Sequence, residues 1–196
     1  IVKILEKQLE LNQIPNCILF CGGSGTGKTT LARILANKIN NNCGLPIEID
    51  AASNNGVDNI RNIINDSRER SLDGDYKVYI IDEAHMITTQ GWNAFLKCLE
   101  EPPKYTIFLF CTTDPQKIPS TIQSRMMRFN LSIVSTTNIK QRLMFICNQE
   151  NILFEDTAID YISKISNGGM RKAISNLEKV ILYSNNVTLN NCLKVL

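Results

Sequence analysis

The 196-residue sequence is poor in the features that mark several large classes of protein. It has one tryptophan and one histidine, and it has no run of about 20 apolar residues, which a membrane-spanning helix requires. We expect no secretory signal peptide, and the net charge of +2 is too small for a free-standing basic nucleic-acid-binding domain. Hydrophobic residues make up 43% and charged residues 20%, which is typical of globular domains with a buried core. The composition thus excludes membrane, collagen-like and disulfide-stapled miniprotein classes.

The seven cysteines form no C-x-x-C pair, and the single histidine, His85, does not complete a zinc site with them. Four cysteines lie inside apolar runs, where this residue behaves as a small hydrophobic side chain: Cys17, Cys21, Cys111 and Cys147. We therefore expect reduced thiols, no zinc and a cytoplasmic protein.

Short apolar segments alternate with amphipathic ones over the first two thirds of the chain. Strands are predicted at 17–21, 47–50, 78–81, 106–111 and 127–131, and helices at 2–11, 29–40, 57–71 and 89–100. Apolar strands separated by helices indicate an α/β fold with a parallel sheet covered on both faces. From about residue 135 only helices are predicted, at 138–149, 157–166 and 170–183. We predict an α/β domain over residues 1–133 and a small all-α domain over residues 134–196.

One segment matches the phosphate-binding pattern G-x-x-x-x-G-K-[ST] at every fixed position: Gly22, Gly23, Ser24, Gly25, Thr26, Gly27, Lys28 and Thr29, with Thr30 directly after it. It follows a predicted strand and opens a predicted helix, as the motif requires. The glycines let backbone N–H groups point at phosphate oxygens, next to the partial positive charge of the helix N-terminus. We expect Lys28 to reach the β- and γ-phosphates and the Thr29 hydroxyl to bind Mg²⁺. The sequence therefore predicts a P-loop site for a nucleoside triphosphate.

The second motif is an acidic pair, Asp82 and Glu83, which follows the predicted strand at 78–81. Ligands of open α/β sheets bind at the carboxyl ends of the strands, where these two carboxylates are expected. Asp82 is predicted to hold Mg²⁺, and Glu83 to polarise the attacking water. Residues 82–85 also spell D-E-A-H, the signature of one helicase class. Those enzymes need two tandem domains and an arginine-rich motif, so we interpret the tetrapeptide as a coincidence of a strand end and a turn.

Three further residues stand where a nucleotide switch would need them. Thr113 follows the predicted strand at 106–111, Arg125 follows a short predicted helix, and Arg171 begins a helix of the second domain. Each is a weak signal alone, because an arginine at a helix end is usually a solvated surface charge.

Together these motifs resemble the clamp-loader ATPases of the AAA+ class, specifically the γ/τ subunit of bacterial DNA polymerase III. The most specific segments are Glu-Glu-Pro-Pro at 100–103 and Thr-Thr-Asp-Pro-Gln-Lys at 112–117. The similarity runs from about residue 13 to residue 176, and the Gly-Gly-Met-Arg-Lys-Ala stretch at 168–173 is also similar to the small subunits of replication factor C.

The resemblance implies roles for the three weak candidates. It makes Thr113 the sensor 1 residue, Arg125 an arginine finger acting on the ATP of a neighbouring subunit, and Arg171 the sensor 2 residue of a helical lid. It further implies ATP and Mg²⁺ as ligands, no membrane contact, and other loader subunits, a sliding clamp and primer-template DNA as partners. The full-length protein is expected to be an oligomer. The present residues, without the family's C-terminal collar domain, are expected to be mostly monomeric.

The sequence also departs from the family pattern. The family carries a four-cysteine zinc module between the phosphate-loop helix and the second strand, where this chain has only residues 40–46 with Cys43. Ser-Arg-Met at 124–126 replaces Ser-Arg-Cys. The family's adenine-binding N-terminal segment would precede Ile1. The missing zinc module suggests a phage-encoded or divergent minimal version of the family.

Three functions remain open at this point. The first is the ATP-driven motor of a sliding-clamp loader. The second is a nucleotide-binding structural subunit that does not hydrolyse ATP, against which the retained Lys28, Thr29, Asp82 and Glu83 argue. The third is an AAA+ remodeller outside replication, against which only the resemblance at 100–103 and 112–117 argues.

Overall fold

The computed structural model of the chain describes residues 1–71 and 73–196. These residues divide into two compact units. The first unit comprises residues 1–22 and 28–131, and the second comprises residues 132–196 together with the short loop 23–27.

The first unit alternates helices and strands in the order expected for an α/β fold. Its helices are α1 (Val2–Glu10), α2 (Lys28–Ile39), α3 (Val57–Asp66), α4 (Thr89–Glu100) and α5 (Ser120–Gln123). Its strands are β1 (Cys17–Cys21), β2 (Ile47–Asp50), β3 (Lys77–Asp82), β4 (Thr106–Thr112) and β5 (Met127–Asn130). Single 3₁₀ turns at Ala84–Met86 and Pro115–Lys117 follow β3 and β4.

All pairings within this sheet are parallel, in the order β2-β3-β4-β1-β5. The carboxyl ends of β1, β3 and β4, which are neighbours, therefore meet at one edge. This arrangement confirms the predicted parallel sheet, and it brings the loops after these three strands together.

Side chains of the central strands alternate between two cores because successive residues of a strand point to opposite faces. On one face, the aromatic side chains of β3 and β4 (Tyr79, Phe108 and Phe110) pack against those of α4 (Trp92 and Phe95). On the other face, the alternate residues of β1, β3 and β4 pack against α1 and α2, as Phe20, Ile80 and Leu109 do. Both faces are covered, which explains why these strands read as continuous apolar runs.

The second unit is built mainly from α6 (Thr136–Gln149), α7 (Asp156–Ile165), α8 (Met170–Tyr183) and α9 (Leu189–Val195). Its core contains residues from all four helices, among them Leu143, Ile159, Leu177 and Cys192. The sequence predicted only helices from about residue 135 onward, and this prediction was incomplete. Two-residue strands β6 (Leu153–Phe154) and β7 (Asn186–Val187) form a parallel pair.

The predicted helix at 57–71 was too long, because α3 ends at Asp66. The Ser67 hydroxyl donates to the carbonyl oxygen of Ile64 (2.7 Å), and the N–H groups of residues 68 and 69 bond to carbonyls three residues back. Serine competes for backbone groups in this way, which favours a turn over a continuing helix.

Candidate functional site

The end of the phosphate-loop motif meets the acidic end of β3. Helix α2 begins at Lys28, whose side chain is 7% exposed and whose Nζ donates to the carbonyl oxygen of Gly22 (2.9 Å). The Thr29 hydroxyl donates to Oδ2 of Asp82 across 2.7 Å. The structure thus joins two motifs that lie 53 residues apart in the sequence.

The loop between β1 and α2 needs glycine at two positions. Gly25 and Gly27 have φ of +74° and +93°, a region that residues with a Cβ rarely adopt. Within the loop, the Thr26 hydroxyl donates to the carbonyl oxygen of Gly23 (2.9 Å). A Cβ on Gly27 would meet no atom within 4 Å among the described residues, so the backbone there borders open space. Such an open, left-handed glycine backbone fits a phosphate group lying against it.

The second unit also contains the start of α8, where Arg171 lies. The Met170 N–H donates to the carbonyl oxygen of Gly25 (3.1 Å). A Cβ built on Gly25 would stand 3.4 Å from the Cβ of Arg171 and 3.4 Å from the Cα of Gly169. Arg171 is therefore adjacent to the loop that carries the glycines, with an exposed side chain.

Glu83 lies directly after β3 in an unusual backbone conformation. Its φ of +47° is left-handed, which is uncommon for a residue other than glycine, asparagine or aspartate. Its N–H donates to Oδ1 of Asp82 (2.9 Å), which fixes this turn. The Thr113 hydroxyl, from the loop after β4, donates to Oε2 of Glu83 (3.3 Å). The structure therefore brings these two predicted residues together.

His85 is the functional candidate that sequence reasoning set aside. Its Nδ1 lies 3.3 Å from Oε2 of Glu83 and 3.2 Å from Oγ1 of Thr112. The available signal was its position two residues after Glu83 at the end of a buried strand. In the sequence, His85 was interpreted only as part of the coincidental D-E-A-H tetrapeptide.

The hydrogen bonds of Arg125 run to residues outside the phosphate loop and β3. It is exposed after α5, where its Nη2 donates to Oε1 of Glu100 (2.6 Å) and its Nη1 donates to the carbonyl oxygen of Thr121. Thr30, in the first turn of α2, is also exposed.

The oxygen atoms of Thr29 and Asp82 suit a hard divalent cation. Mg²⁺ prefers oxygen ligands and is usually held by one or two protein groups together with substrate phosphates. Burial, and after it the nearby Asp82 carboxylate, raise the pKa of the Cys111 thiol to about 12. Cys111 therefore stays a neutral thiol beside these oxygens and does not compete as a soft ligand.

Among residues 1–71 and 73–196, no group of three or more His, Cys, Asp and Glu side chains is arranged to hold a metal ion. Cys43 is exposed in the short link between α2 and β2. In the described part of the chain, no helix is both long and apolar enough to cross a membrane.

Two family models match successive parts of the chain. The model described as DNA polymerase III, delta subunit, matches residues 45–135. The model described as DNA polymerase III clamp loader subunit, ATPase lid domain, matches residues 138–186. The second match lies within the helical unit.

Curated relatives match nearly the whole chain. DNA polymerase III subunit tau of Bacillus subtilis is 39% identical over 95% of this chain and 37% of its own length. Subunit tau/gamma of Haemophilus influenzae is 38% identical over 97% of this chain and 31% of its own. Subunit gamma of Buchnera aphidicola is 37% identical over 100% of this chain and 60% of its own. The chain spans about a third of the length of the first two.

Solved structures show the fold alone. A Thermotoga maritima structure titled RuvB Holliday junction branch migration motor superposes with a TM-score of 0.79 at 22% identity, over 99% of this chain and 65% of that one. This likeness confirms the predicted fold of a parallel sheet flanked by helices, and the lid-domain model that matches residues 138–186 confirms the predicted helical lid. By sequence, the chain is a relative of the γ/τ clamp-loader subunits of DNA polymerase III, which confirms the resemblance drawn from its motifs.

Proposed function

We propose that this chain is the ATP-binding and ATP-hydrolysing motor part of a DNA sliding-clamp loader that acts in DNA replication. The contact between the Thr29 hydroxyl and the Asp82 carboxylate (2.7 Å) carries this proposal. This contact places a P-loop motif beside an acidic strand end. The relatives, which are DNA polymerase III subunits, supply the replication context.

In this proposal the loop residues bind the triphosphate of ATP. The backbone from Gly22 to Gly27 faces the phosphates, and Lys28 exchanges its bond to the Gly22 carbonyl for the β- and γ-phosphate oxygens. Thr29 and Asp82 would hold Mg²⁺, which neutralises phosphate charge when it is bound. Thr30 extends the binding segment into the first turn of α2.

Glu83 is the proposed residue for water activation. A carboxylate accepts a proton or orients a water by hydrogen bonding, which supplies a large part of the rate in phosphoryl transfer. Its contact with Thr113 holds it at the carboxyl end of the sheet and supports a sensor 1 role for Thr113.

The two arginines would act on the γ-phosphate from different places. Arg171, beside Gly25, is proposed as the sensor 2 residue for its own subunit's ATP. Arg125, bound to Glu100 and exposed, is proposed as a finger for the ATP of a neighbouring subunit. This role in trans is supported by the exposure of Arg125 and by its bonds to Glu100 and Thr121, which belong to neither the phosphate loop nor β3.

The proposed function also implies domain bounds and partners. We propose residues 1–133 as the nucleotide-binding domain and residues 134–196 as the lid. The proposed partners are other loader subunits, a sliding clamp and primer-template DNA, in an oligomer that acts in the cytoplasm.

The change Glu83→Gln tests the hydrolytic part of the proposal. Glutamine keeps the shape of the side chain and cannot act as a carboxylate base, so turnover should fall by about 10²-fold or more while ATP binding persists. Steady-state ATPase assays and equilibrium titration with a fluorescent ATP analogue measure the two quantities. A variant that hydrolyses ATP at the parent rate would remove Glu83 from the mechanism and favour a non-hydrolysing subunit.

A pull-down with purified sliding clamp tests the replication part. A clamp loader retains the clamp in the presence of ATP. A full-length protein that hydrolyses ATP and fails to retain the clamp would contradict the proposal in favour of a remodeller outside replication.

A further inference from the structure

The imidazole of His85 is packed among the groups that follow β3 and β4. Its side chain is 12% exposed, and its Nδ1 lies within 3.3 Å of both Oε2 of Glu83 and Oγ1 of Thr112. It is the single histidine of the chain. A polar ring buried to this degree beside the proposed base requires an explanation.

We propose that His85 is a positioning residue, which acts through Glu83 by fixing the orientation of its carboxylate. This inference rests on the role proposed for Glu83. It concerns a residue that the phosphate-loop and acidic-strand motifs do not include.

The backbone alone does not fix the carboxylate of Glu83. The left-handed turn and the N–H bond to Asp82 set where its side chain starts. The side chain beyond that point is 42% exposed and has three rotatable bonds. Contacts from elsewhere must therefore select one orientation.

Two groups supply these contacts, and both reach the same oxygen. Thr113 Oγ1 and His85 Nδ1 each lie 3.3 Å from Oε2 of Glu83. Thr113 approaches from the loop after β4, and His85 approaches from the 3₁₀ turn after β3. A carboxylate held from two directions through one oxygen keeps a fixed plane, as a base that aligns a water requires.

The proposal also determines which ring nitrogen of His85 carries the hydrogen. An ionised carboxylate only accepts hydrogen bonds, so Nδ1 must carry a hydrogen to bind Glu83. The Thr112 hydroxyl oxygen already accepts from the N–H of Asp114 (3.1 Å) and has a second lone pair for the same Nδ1–H. The proposal therefore requires the hydrogen on Nδ1.

Paired variants of the full-length chain separate positioning from structure. His85→Leu removes the donor, and His85→Asn keeps an N–H group near the position of Nδ1. If His85 acts on Glu83, the leucine variant should lower kcat about tenfold with the Kd for a fluorescent ATP analogue unchanged within about twofold. The asparagine variant should recover most of the rate. Equal losses in both variants, or a loss that follows a lower melting temperature, would overturn the positioning role.

A double-mutant cycle then tests whether the effect passes through Glu83. In the Glu83→Gln background, His85→Leu should cause no further loss of turnover, because the group it orients is gone. A further tenfold loss would overturn the inference and leave the role of Glu83 intact. Full activity of Glu83→Gln alone would instead overturn the proposed function, which makes the two failures distinguishable.

Nuclear magnetic resonance gives a readout that does not depend on activity. With one histidine, the imidazole nitrogen signals of the ¹⁵N-labelled protein need no assignment. We expect a protonated Nδ1 whose resonance shifts in Glu83→Gln and stays unchanged in a remote control such as Lys38→Ala. An unprotonated Nδ1, or a resonance that ignores the change at Glu83, would contradict the proposal.

Discussion

Burial controls the chemistry of the cysteines at the scale of single residues. Six of the seven are buried, and Cys43 is exposed. Loss of hydration raises the pKa of the Cys17 and Cys111 thiols to about 12. A buried thiol with a raised pKa stays protonated and is a poor metal ligand.

We predict from this that the purified protein contains no stoichiometric zinc. Elemental analysis measures the metal directly, and a thiol reagent should modify one cysteine rapidly in the native protein and all seven in denaturant. One zinc per chain, or several fast thiols, would mean that the cysteines come together differently.

The sequence predicts those candidate site residues that belong to motifs of fixed spacing. The pattern around Lys28 and Thr29 and the acidic end of β3 could be identified because each follows an apolar strand. His85 could not be identified in this way, since its contact with Thr112 depends on which strands are neighbours. Alternation of apolar segments indicates a parallel sheet and does not give the strand order.

At the scale of elements, a cluster of hydrogen-bonded polar side chains connects the end of α3 to β3. Asp66, the last residue of α3, accepts hydrogen bonds from Lys77 Nζ (2.7 Å) and from the Tyr79 hydroxyl. Lys77 Nζ also donates to the Asp66 carbonyl oxygen (2.8 Å). The bonds from Lys77 and then from Tyr79 hold the pKa of the Asp66 carboxyl below its usual value of 3.8.

This cluster predicts a pH-dependent effect of Asp66→Asn. A carboxyl with a lowered folded-state pKa stabilises the fold above its unfolded pKa, and the stabilisation is lost as pH falls through the folded pKa. The variant should lose about 1 kcal/mol of unfolding free energy at neutral pH, a small value because the carboxylate is about half exposed. The difference from the parent should shrink below pH 3.8.

Denaturant unfolding at several pH values measures this difference. Asp58→Asn is a matched control, because Asp58 begins the same helix and its contact with Arg61 is largely exposed. It should change stability less at neutral pH. A loss for Asp66→Asn that stays constant down to about pH 3 would contradict the ionic origin of the effect.

Some predicted helix boundaries agree with the structure and others do not. Helix α4 begins after Thr88, whose hydroxyl accepts from the Gly91 N–H (3.1 Å), and its predicted start was correct. Helix α3 has no such stop signal, and Ser67 ends it through a local bond. The pair β6–β7 has two residues in each strand, which is too short to produce a detectable alternation.

At the scale of the whole molecule, Arg125 is the residue proposed to link ATP hydrolysis to assembly. If it acts in trans, Arg125→Ala should leave ATP affinity and the low basal rate of residues 1–196 nearly unchanged. In the full-length protein assembled with its partner subunits, the same change should lower clamp- and DNA-stimulated hydrolysis by about 10³-fold or more.

Steady-state ATPase assays on residues 1–196 and on the assembled full-length protein distinguish action in trans from action in cis. Arg128→Ala is the matched control, since Arg128 is a nearby exposed arginine bound to Asn130 and Gln123. It should leave stimulated hydrolysis near the parent rate. If Arg125→Ala disabled the isolated residues 1–196 as strongly as the assembly, the arginine would act in cis.

The loop that ends at Lys28 is proposed to bind ATP, and one titration measures this binding. A fluorescent ATP analogue is titrated in the presence of Mg²⁺ into the parent, Lys28→Ala and, as a control from the same helix, Lys38→Ala. Lys28→Ala should abolish binding, because it removes the positive side chain that the loop presents to the β- and γ-phosphates. Lys38→Ala should bind as the parent does. Unchanged affinity in Lys28→Ala would contradict the account.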